Sequence, residues 1–344
     1  MALTLAAAFD ADLYVTDLDP VLPSRAGMPS GRLHEIARVP RRAPWRQDRQ
    51  ARAFEAAEIP DYDAYVLSGN WAVFAAPRLR PNLWYCHTPV RIFYDLTDSF
   101  LASLPSIQRT FARRWIERRR PRYERAVQDV GAIVANSRNV AERIERFLHR
   151  KAAAVVYPPV DVSSYRFQKV GDAWLSVSRL SHEKRIDLLV EAFRRRPDER
   201  LLVVGGPQGG ESLARFVRSV HPPDNVGFLG EIQEPRLREL YANCRGLVAT
   251  AQDEDFGLAP VEAMASGKAV VAVDEGGFRE SVIPGRTGWL VPPTPEAIAT
   301  AIGDAAKTDL EAMRPECEAR AREFDTSIFV HRMKVLLAEA ANIS

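Results

Sequence analysis

Along the chain, short apolar runs alternate with stretches whose apolar residues recur every three or four positions. "DLYVT", "AYVLSG", "NLWYCHTP" and "GAIVANS" punctuate the first half, and "AWLSVSRL", "RLLVVGG", "NVGFLG", "RGLVAT" and "KAVVAV" the second. Several of these runs end at Gly, Ser or Thr before a polar loop and a helical pattern, the order found in βαβ units. The pattern predicts an α/β protein with two Rossmann-like, doubly wound parallel sheets. Pro158 and Pro159, in "VVYPPVDVSSY", stiffen an extended connector between the two series. The seam falls there, giving domains over 1–157 and 158–318 with a cleft between them. "EARAREFDTSIFVHRMKVLLAEAA" is helical in pattern, so residues 319–344 are expected to close the chain as a helix. The opening "ALTLAAAFDADLYVT" reads as a helix feeding a strand. The N-terminal sheet is therefore expected to lack the first strand and glycine-rich turn with which such a domain usually starts.

Composition narrows the class. A chain of 344 residues is long for one domain, and two of roughly 150 to 180 residues suit it better. With 46% hydrophobic and 27% charged residues it has the profile of an ordinary globular protein. None of its apolar runs approaches the roughly 20 residues of a membrane span. Cys86, Cys244 and Cys317 are odd in number and far apart, against a disulfide framework or a zinc site. The start of the chain lacks a basic n-region and meets Asp10 early, which makes a poor signal peptide. A cytoplasmic protein is expected.

Charge is unevenly placed. Residues 1–160 hold 24 Lys and Arg against 17 Asp and Glu, and the remainder holds 23 against 28. Much of the excess lies in "RTFARRWIERRRPRYER", where eight arginines from Arg109 to Arg125 mix with Phe111, Trp115 and Tyr123. The 107–125 segment suits the inner face of an anionic membrane or a phosphorylated lipid, and it equally suits a solvated helix face. Nucleic acid is not expected, because no binding motif accompanies the charge.

The densest chemistry lies in "ATAQDEDFGLAPVEAMASGKAVVAVDEGGFRESV". Glu254 and Glu262 are eight residues apart, about 80° out of line on a continuous helix, so they do not form a helical pair. Gly257 disfavours helix and Pro260 suits a first turn, which starts the helix near Ala259 or Pro260. Glu254 then lies on a loop after the "RGLVAT" strand and Glu262 in the first helical turn, where open α/β sheets place ligands. A helix N-terminus suits a phosphate and carboxylates suit sugar hydroxyls, so a sugar nucleotide satisfies both. The plainer alternative is a glutamate that complements the helix dipole beside a solvated one.

Arg179 and Lys184, in "SVSRLSHEKRIDLLVEAF", follow a strand, where two cations could neutralise a departing diphosphate. Gly276 and Gly277, in "VDEGGFRES", allow either close approach of backbone to a ligand or a tight turn. His87, in "WYCHTPVR", closes a strand and could meet a sugar hydroxyl or carry a proton, or be structural. Asp17 with Asp19, and Asp253 with Asp255, have the spacing of a metal-holding Asp-x-Asp pair, but no metal is expected. The absence of a G-x-G-x-x-G argues against a nicotinamide or flavin enzyme.

These segments resemble the retaining glycosyltransferases of family 4, which have the GT-B fold. "EDFGLAPVEAMASGKAVVAVDEGGFRESVIPGRTGWLV" is similar to the family signature, with Glu254 and Glu262 on its paired glutamates. "VSRLSHEKRIDLLVEAF", "NVGFLGEIQEPRLRELYANCRGLVAT", "VANSRNVAERIERF" and "YPPVD" resemble its flanking segments. "CHTPVRIFYDL" resembles a branch that includes mannosyltransferases of surface polysaccharide assembly. The resemblance implies that Glu254 bonds hydroxyls of the donor sugar and Glu262 the ribose. It implies that Arg179 and Lys184 hold the diphosphate, helped by amides near Phe256, Gly257 and Leu258, and that His87 contacts the sugar from the opposite domain. The closing helix is expected to cross back to the N-terminal domain. Front-face transfer with retention is the implied route, without a metal cofactor, from a GDP- or UDP-linked donor to a lipid-linked or glycan acceptor. A protein of this fold that only binds a sugar nucleotide or a partner enzyme is the alternative, since the N-terminal sheet is expected to lack the family's first strand.

Overall fold

The computed structural model describes residues 1–18, 30–40, 43–207 and 211–342. The chain divides into two compact units: Met1–Tyr157 together with the chain from Phe329 on, and Pro158–Ile328.

In the first unit, helix α1 (Ala2–Ala8) feeds β1 (Leu13–Thr16), which pairs in parallel with β2 (Leu33–Ala37). Helix α2 (Trp45–Ala56) leads to β3 (Tyr65–Ser68) and β4 (Asn82–Cys86). After α3 (Thr97–Ala102) and α4 (Ser106–Gln128) come β5 (Ala132–Ala135), α5 (Arg138–Leu148) and β6 (Ala154–Val155). Strands β3 to β6 form a parallel four-stranded sheet in sequence order. Among the described residues this unit thus holds two separate parallel ladders, where the sequence pattern suggested one sheet.

Every residue of β4 is buried, and the period of two assigns its faces. Trp84 and Cys86 join a core with Phe93, Tyr123 and Val127, while Leu83 and Tyr85 join another with Leu5, Phe329 and Met333. A strand covered on both sides reads as a continuous apolar run, which is why "NLWYC" stood out. Ser137 starts α5 by accepting a hydrogen bond from the Val140 N–H at 3.0 Å.

The second unit carries a continuous sheet of six parallel strands. These are β7 (Ala173–Val177), β8 (Arg200–Val204), β9 (Val226–Gly230), β10 (Leu247–Ala249), β11 (Val270–Val273) and β12 (Gly288–Val291), in the order β12-β11-β10-β7-β8-β9. The chain begins in the middle at β7, builds outward to β9, then returns to the other side of β7 with β10. The strand order therefore reverses between β7 and β10, which leaves a crevice at their carboxyl ends. Helices α6 (Ile186–Arg194), α7 (Leu213–Val220), α8 (Glu234–Asn243), α9 (Leu258–Ala265), α10 (Phe278–Ser281), α11 (Pro295–Ala306) and α12 (Arg314–Arg322) connect and follow the strands.

The terminal segment is not one helix. It breaks after α12 and resumes as α13 (Thr326–Asn342). Phe324 and Asp325 leave the helical path to pair with Val160: the Val160 N–H donates to the Phe324 carbonyl at 3.0 Å and the Thr326 N–H to the Val160 carbonyl at 3.1 Å. Ala321 and Phe324 are buried within the second unit, so that unit extends to Ile328, ten residues beyond the boundary expected at 318.

Candidate functional site

A cavity of about 270 Å³ opens in the crevice of the second unit. Ser176 to Arg179 line it from the end of β7, Leu247 to Ala251 from β10, and Glu254, Leu258 and Glu262 from the loop and helix that follow. Arg179, Lys184, Glu254, Gly257, Leu258 and Glu262, spread over 84 positions of sequence, thus meet around one space.

Lys184 Nζ donates to Glu254 Oε2, and both side chains are largely shielded from solvent. The turn that presents Lys184 is fixed from below: Thr250 Oγ1, at the end of β10, donates to the Lys184 carbonyl at 2.9 Å, and the Gln252 N–H donates to the Glu183 carbonyl at 2.7 Å. Arg185 follows in the left-handed region (φ 50°) and reaches Glu275, with Nη1 3.0 Å from Oε2. Glu275 in turn accepts from the Asp253 N–H at 3.2 Å. Arg179 is exposed and makes no hydrogen bond or close ion pair among the described residues. The cavity therefore holds one cation already paired and one still unpaired.

Helix α9 begins at Leu258, slightly before the position read from the sequence, with Gly257 at its N-cap and no side chain capping it. The Leu258 and Ala259 amides stand at that end beside the cavity, and unpaired amides at a helix start favour an anion. Gly257 adopts φ +84°, and a β-carbon there would come 2.6 Å from the Phe278 ring. With the helix starting one or two residues earlier than expected, Glu262 is its fifth residue, just past the first turn, and is not a first-turn partner of the helix dipole. Tyr241 Oη, on α8, donates to Glu262 Oε2 at 2.8 Å, and Tyr165 lies beside it, its ring 5.8 Å from that of Tyr241. Burial raises the Glu262 pKa above the usual carboxylate range, and the tyrosine hydrogen bonds oppose the shift by favouring the charged form.

The remaining expected residues stand elsewhere. Phe256 is buried, with its ring 5.3 Å from Phe324, and does not line the cavity. Gly276 and Gly277 do not line it either. A β-carbon at Gly276 would meet the Glu254 carbonyl at 2.5 Å, and one at Gly277 the Phe256 Cα at 2.4 Å; the Gly277 N–H donates to the Glu254 carbonyl at 2.8 Å. The pair lets one loop seat directly on the other, and so fixes Glu254 from behind. His87 belongs to the first unit, where Nε2 lies 3.3 Å from Ser68 Oγ and the ring packs edge-on to Tyr85. Burial lowers its pKa, which favours the neutral imidazole.

Of the aspartates weighed for metal, Asp17 accepts from the Val39 N–H at 2.8 Å and lies 3.8 Å from Arg46, and Asp19 falls outside the described residues. No cluster of three His, Cys, Asp or Glu that could hold a metal occurs among the described residues. Tyr241, Tyr165, Thr250 and Glu275 were not found from the sequence. Each acts through a partner distant in the chain, and no local pattern marks it.

Residues 164–324 match the family of glycosyl transferases group 1, so the second unit carries a domain of that family. The D-inositol 3-phosphate glycosyltransferase of Mycobacteroides abscessus is 30% identical over 201 residues, covering 53% of this chain and 45% of that protein. The alpha-1,3/1,6-mannosyltransferase ALG2 of Dictyostelium discoideum is 26% identical over 316 residues, covering 78% of this chain and 72% of that protein. The chain thus spans less than half of the first relative and most of the second. Among solved structures, sucrose-phosphate synthase from Thermosynechococcus elongatus has a TM-score of 0.77 at 20% identity, covering 100% of this chain and 92% of that one. Anabaena HepE, in complex with UDP-glucose, has a TM-score of 0.74 at 20% identity, covering 98% and 94%. The fold is the GT-B-like α/β fold of glycosyltransferases, with parallel sheets.

Proposed function

We propose that the chain is a retaining hexosyltransferase of family 4 that draws its sugar from a nucleoside diphosphate donor held in the cavity of the second unit. One observation carries this reading: an unpaired arginine, a Lys184–Glu254 pair, an uncapped helix start and a buried carboxylate line a single cavity. The two cations and the α9 amides suit a diphosphate, and the two glutamates suit hydroxyl groups on either side of it. Glu262, whose ionised form the Tyr241 hydrogen bond favours, accepts from the ribose hydroxyls. Glu254 accepts from the hexose and holds Lys184 in place until the diphosphate arrives. As the glycosidic bond breaks, negative charge grows on the bridging oxygen, and Arg179 with Lys184 stabilises it where it forms. The leaving diphosphate takes the proton of the acceptor hydroxyl, which attacks from the same face, so the anomeric configuration is kept. The charge of the diphosphate is carried by side chains and amides, and the reading uses no divalent ion.

The relatives support the donor class. One is a mannosyltransferase by name, and one neighbour was solved with UDP-glucose. We take GDP-mannose as the donor and a lipid-linked or polysaccharide glycan at the inner face of a membrane as the acceptor. Calorimetric titration of the purified chain with GDP and with UDP, in EDTA, tests the reading. GDP binding in preference to UDP is expected, and Glu262→Ala should weaken it about tenfold to a hundredfold through lost charge-assisted hydrogen bonds. Preference for UDP would move the donor to a uridine sugar. Unchanged affinity in Glu262→Ala would overturn the ribose assignment, and binding that requires added magnesium would overturn the metal-free route.

A further inference from the structure

The structure sorts the arginines of α4 into two sets. Arg109, Arg119, Arg120 and Arg122 are engaged: Arg109 Nε donates to the Leu101 carbonyl at 2.9 Å, Arg119 pairs with Asp48, Arg120 with Glu124 at 2.8 Å, and Arg122 with Glu55. Arg113, Arg114, Arg118 and Arg125 are exposed, with no partner among the described residues. The unpaired set belongs to an outward stripe that starts with Ile107 and Phe111 and continues through Arg114 and Arg118, spacings of four, three and four. Ile107 is 76% exposed and Phe111 67%.

Helix α2 repeats the arrangement. Trp45, 66% exposed, is followed at spacings of four and three by Arg49 and Arg52, both exposed and without a partner among the described residues. The two helices run side by side in the same direction. Asp48 accepts from Trp115 Nε1 at 3.0 Å and pairs with Arg119, and one helical stretch later Glu55 pairs with Arg122. Trp45, one turn before Asp48, therefore stands at the level of Phe111. At about 100° per residue, Arg52 lies about 40° from Asp48, and Arg118 about 60° from Trp115. Each outward stripe thus borders the seam between the helices, and the two stripes join into one surface. Bulky apolar side chains occupy its leading end and unpaired guanidinium groups the rest. Glu117 is the exposed carboxylate of α4 that lacks an ion pair among the described residues.

We infer that this α2–α4 surface docks onto an anionic phospholipid bilayer, with Trp45, Ile107 and Phe111 entering the headgroup and acyl boundary and the arginines lying against the lipid phosphates. Six unpaired guanidinium groups, from Arg49, Arg52, Arg113, Arg114, Arg118 and Arg125, complement a negatively charged surface. An exposed tryptophan, isoleucine and phenylalanine gain by leaving water, which an aqueous phosphate backbone would not offer them. The inference rests on the first unit and stands or falls separately from the sugar-nucleotide reading.

The test is co-sedimentation of the full chain with phosphatidylcholine vesicles, with and without phosphatidylglycerol, at low and high salt. Binding is expected only with phosphatidylglycerol and should fall with salt. The combined change Arg49→Gln, Arg52→Gln, Arg114→Gln and Arg118→Gln should weaken it by at least about thirtyfold, given about fivefold per arginine before screening. A control with the same charge loss in the second unit, Arg215→Gln, Arg236→Gln, Arg286→Gln and Lys307→Gln, should bind like the wild type. Trp45→Ser with Ile107→Ser and Phe111→Ser should leave a weak, fully salt-reversible association. On vesicle binding, a blue shift in tryptophan emission that is lost in Trp45→Phe would place that ring in the bilayer. Circular dichroism checks that each variant is folded. Failure to bind phosphatidylglycerol vesicles, equal binding to neutral ones, or equal loss in the control would overturn the inference. So would tighter binding to a short RNA with no change of Trp45 emission on vesicles.

Discussion

Two basic regions of this molecule use the same side chains in opposite ways. In the second unit Arg179 and Lys184 line a cavity beside Glu254 and Glu262, so each cation is balanced or faces an anion-sized space. In the first unit, Arg49 and Arg52 of α2 and Arg113, Arg114, Arg118 and Arg125 of α4 stand in solvent with no ion pair among the described residues. What separates the two is backbone order. The reversal between β7 and β10 creates a crevice into which side chains from remote segments converge. A pair of helices offers only an outer face, where an unpaired charge stays hydrated until a charged partner arrives. Enclosure favours selective recognition of one small ligand, and exposure favours an extended one.

The sharpest break in that comparison comes from Lys184→Ala. In an enclosed site the loss of one preorganised cation should lower donor hydrolysis or sugar transfer about a hundredfold to a thousandfold, with a much smaller change in nucleotide affinity. A drop in affinity as large as the drop in rate would mean that Lys184 acts on the ground state and not on the departing diphosphate. The four-arginine variant of the first unit, by contrast, should leave nucleotide affinity unchanged while vesicle binding falls.

Next in size is a pH effect. Burial raises the Glu262 pKa, so as pH falls through that raised value the carboxylate is protonated and loses acceptor capacity. Nucleotide binding should therefore weaken at a pH above the ordinary carboxylate range. Tyr241→Phe removes a hydrogen bond that favours the ionised form and should move the onset to still higher pH. Calorimetric affinities across mildly acid to neutral pH would show this, and identical profiles for the two proteins would remove Glu262 from contact with the ligand.

The smallest effect concerns Lys268, buried in the second unit with Nζ 4.3 Å from the Phe167 ring centre and donating to the Lys169 carbonyl. Burial lowers its pKa to about 8. Above that pH the unfolded chain holds a proton that the folded chain has lost, so stability rises with pH up to the ordinary lysine range. Denaturant unfolding should show the wild type gaining on Lys268→Met by up to ~3 kcal/mol between neutral pH and pH ~10. A constant difference would mean the ammonium is better solvated than its burial implies.

Much of the fold was legible because interior strands are apolar along their whole length. "NLWYC", "AWLSV" and "KAVVAV" announced themselves, while β2 ("LHEIA"), the two-residue β6 and β12 ("GWLV") did not. These three are edge strands, partly exposed, and their polar or small residues dilute the signal. The break between α12 and α13 was hidden for another reason: the helical period runs straight through, and only pairing with Val160, far back in the chain, opens it. In the site, residues on one loop or helix could be read from motif and spacing, including Arg179, Lys184, Glu254 and Glu262. Their supports could not. Tyr241 and Glu275 matter because the fold brings them there, and Gly276 and Gly277, open to either reading in sequence, prove to seat one loop on another.

The pairing of Val160 with the backbone at Phe324 to Thr326 also has a bearing on chain continuity. The second unit starts and finishes at neighbouring points, so it behaves as an insert with a closed neck. Tyr157 and Phe329, where the first unit is interrupted, are each within a few residues of that clasp. Excising residues 158–328 would leave two ends that a short glycine linker can rejoin at small entropic cost. The same closure makes the excised segment a candidate for independent folding. The covalent path of the chain thus interleaves the two units.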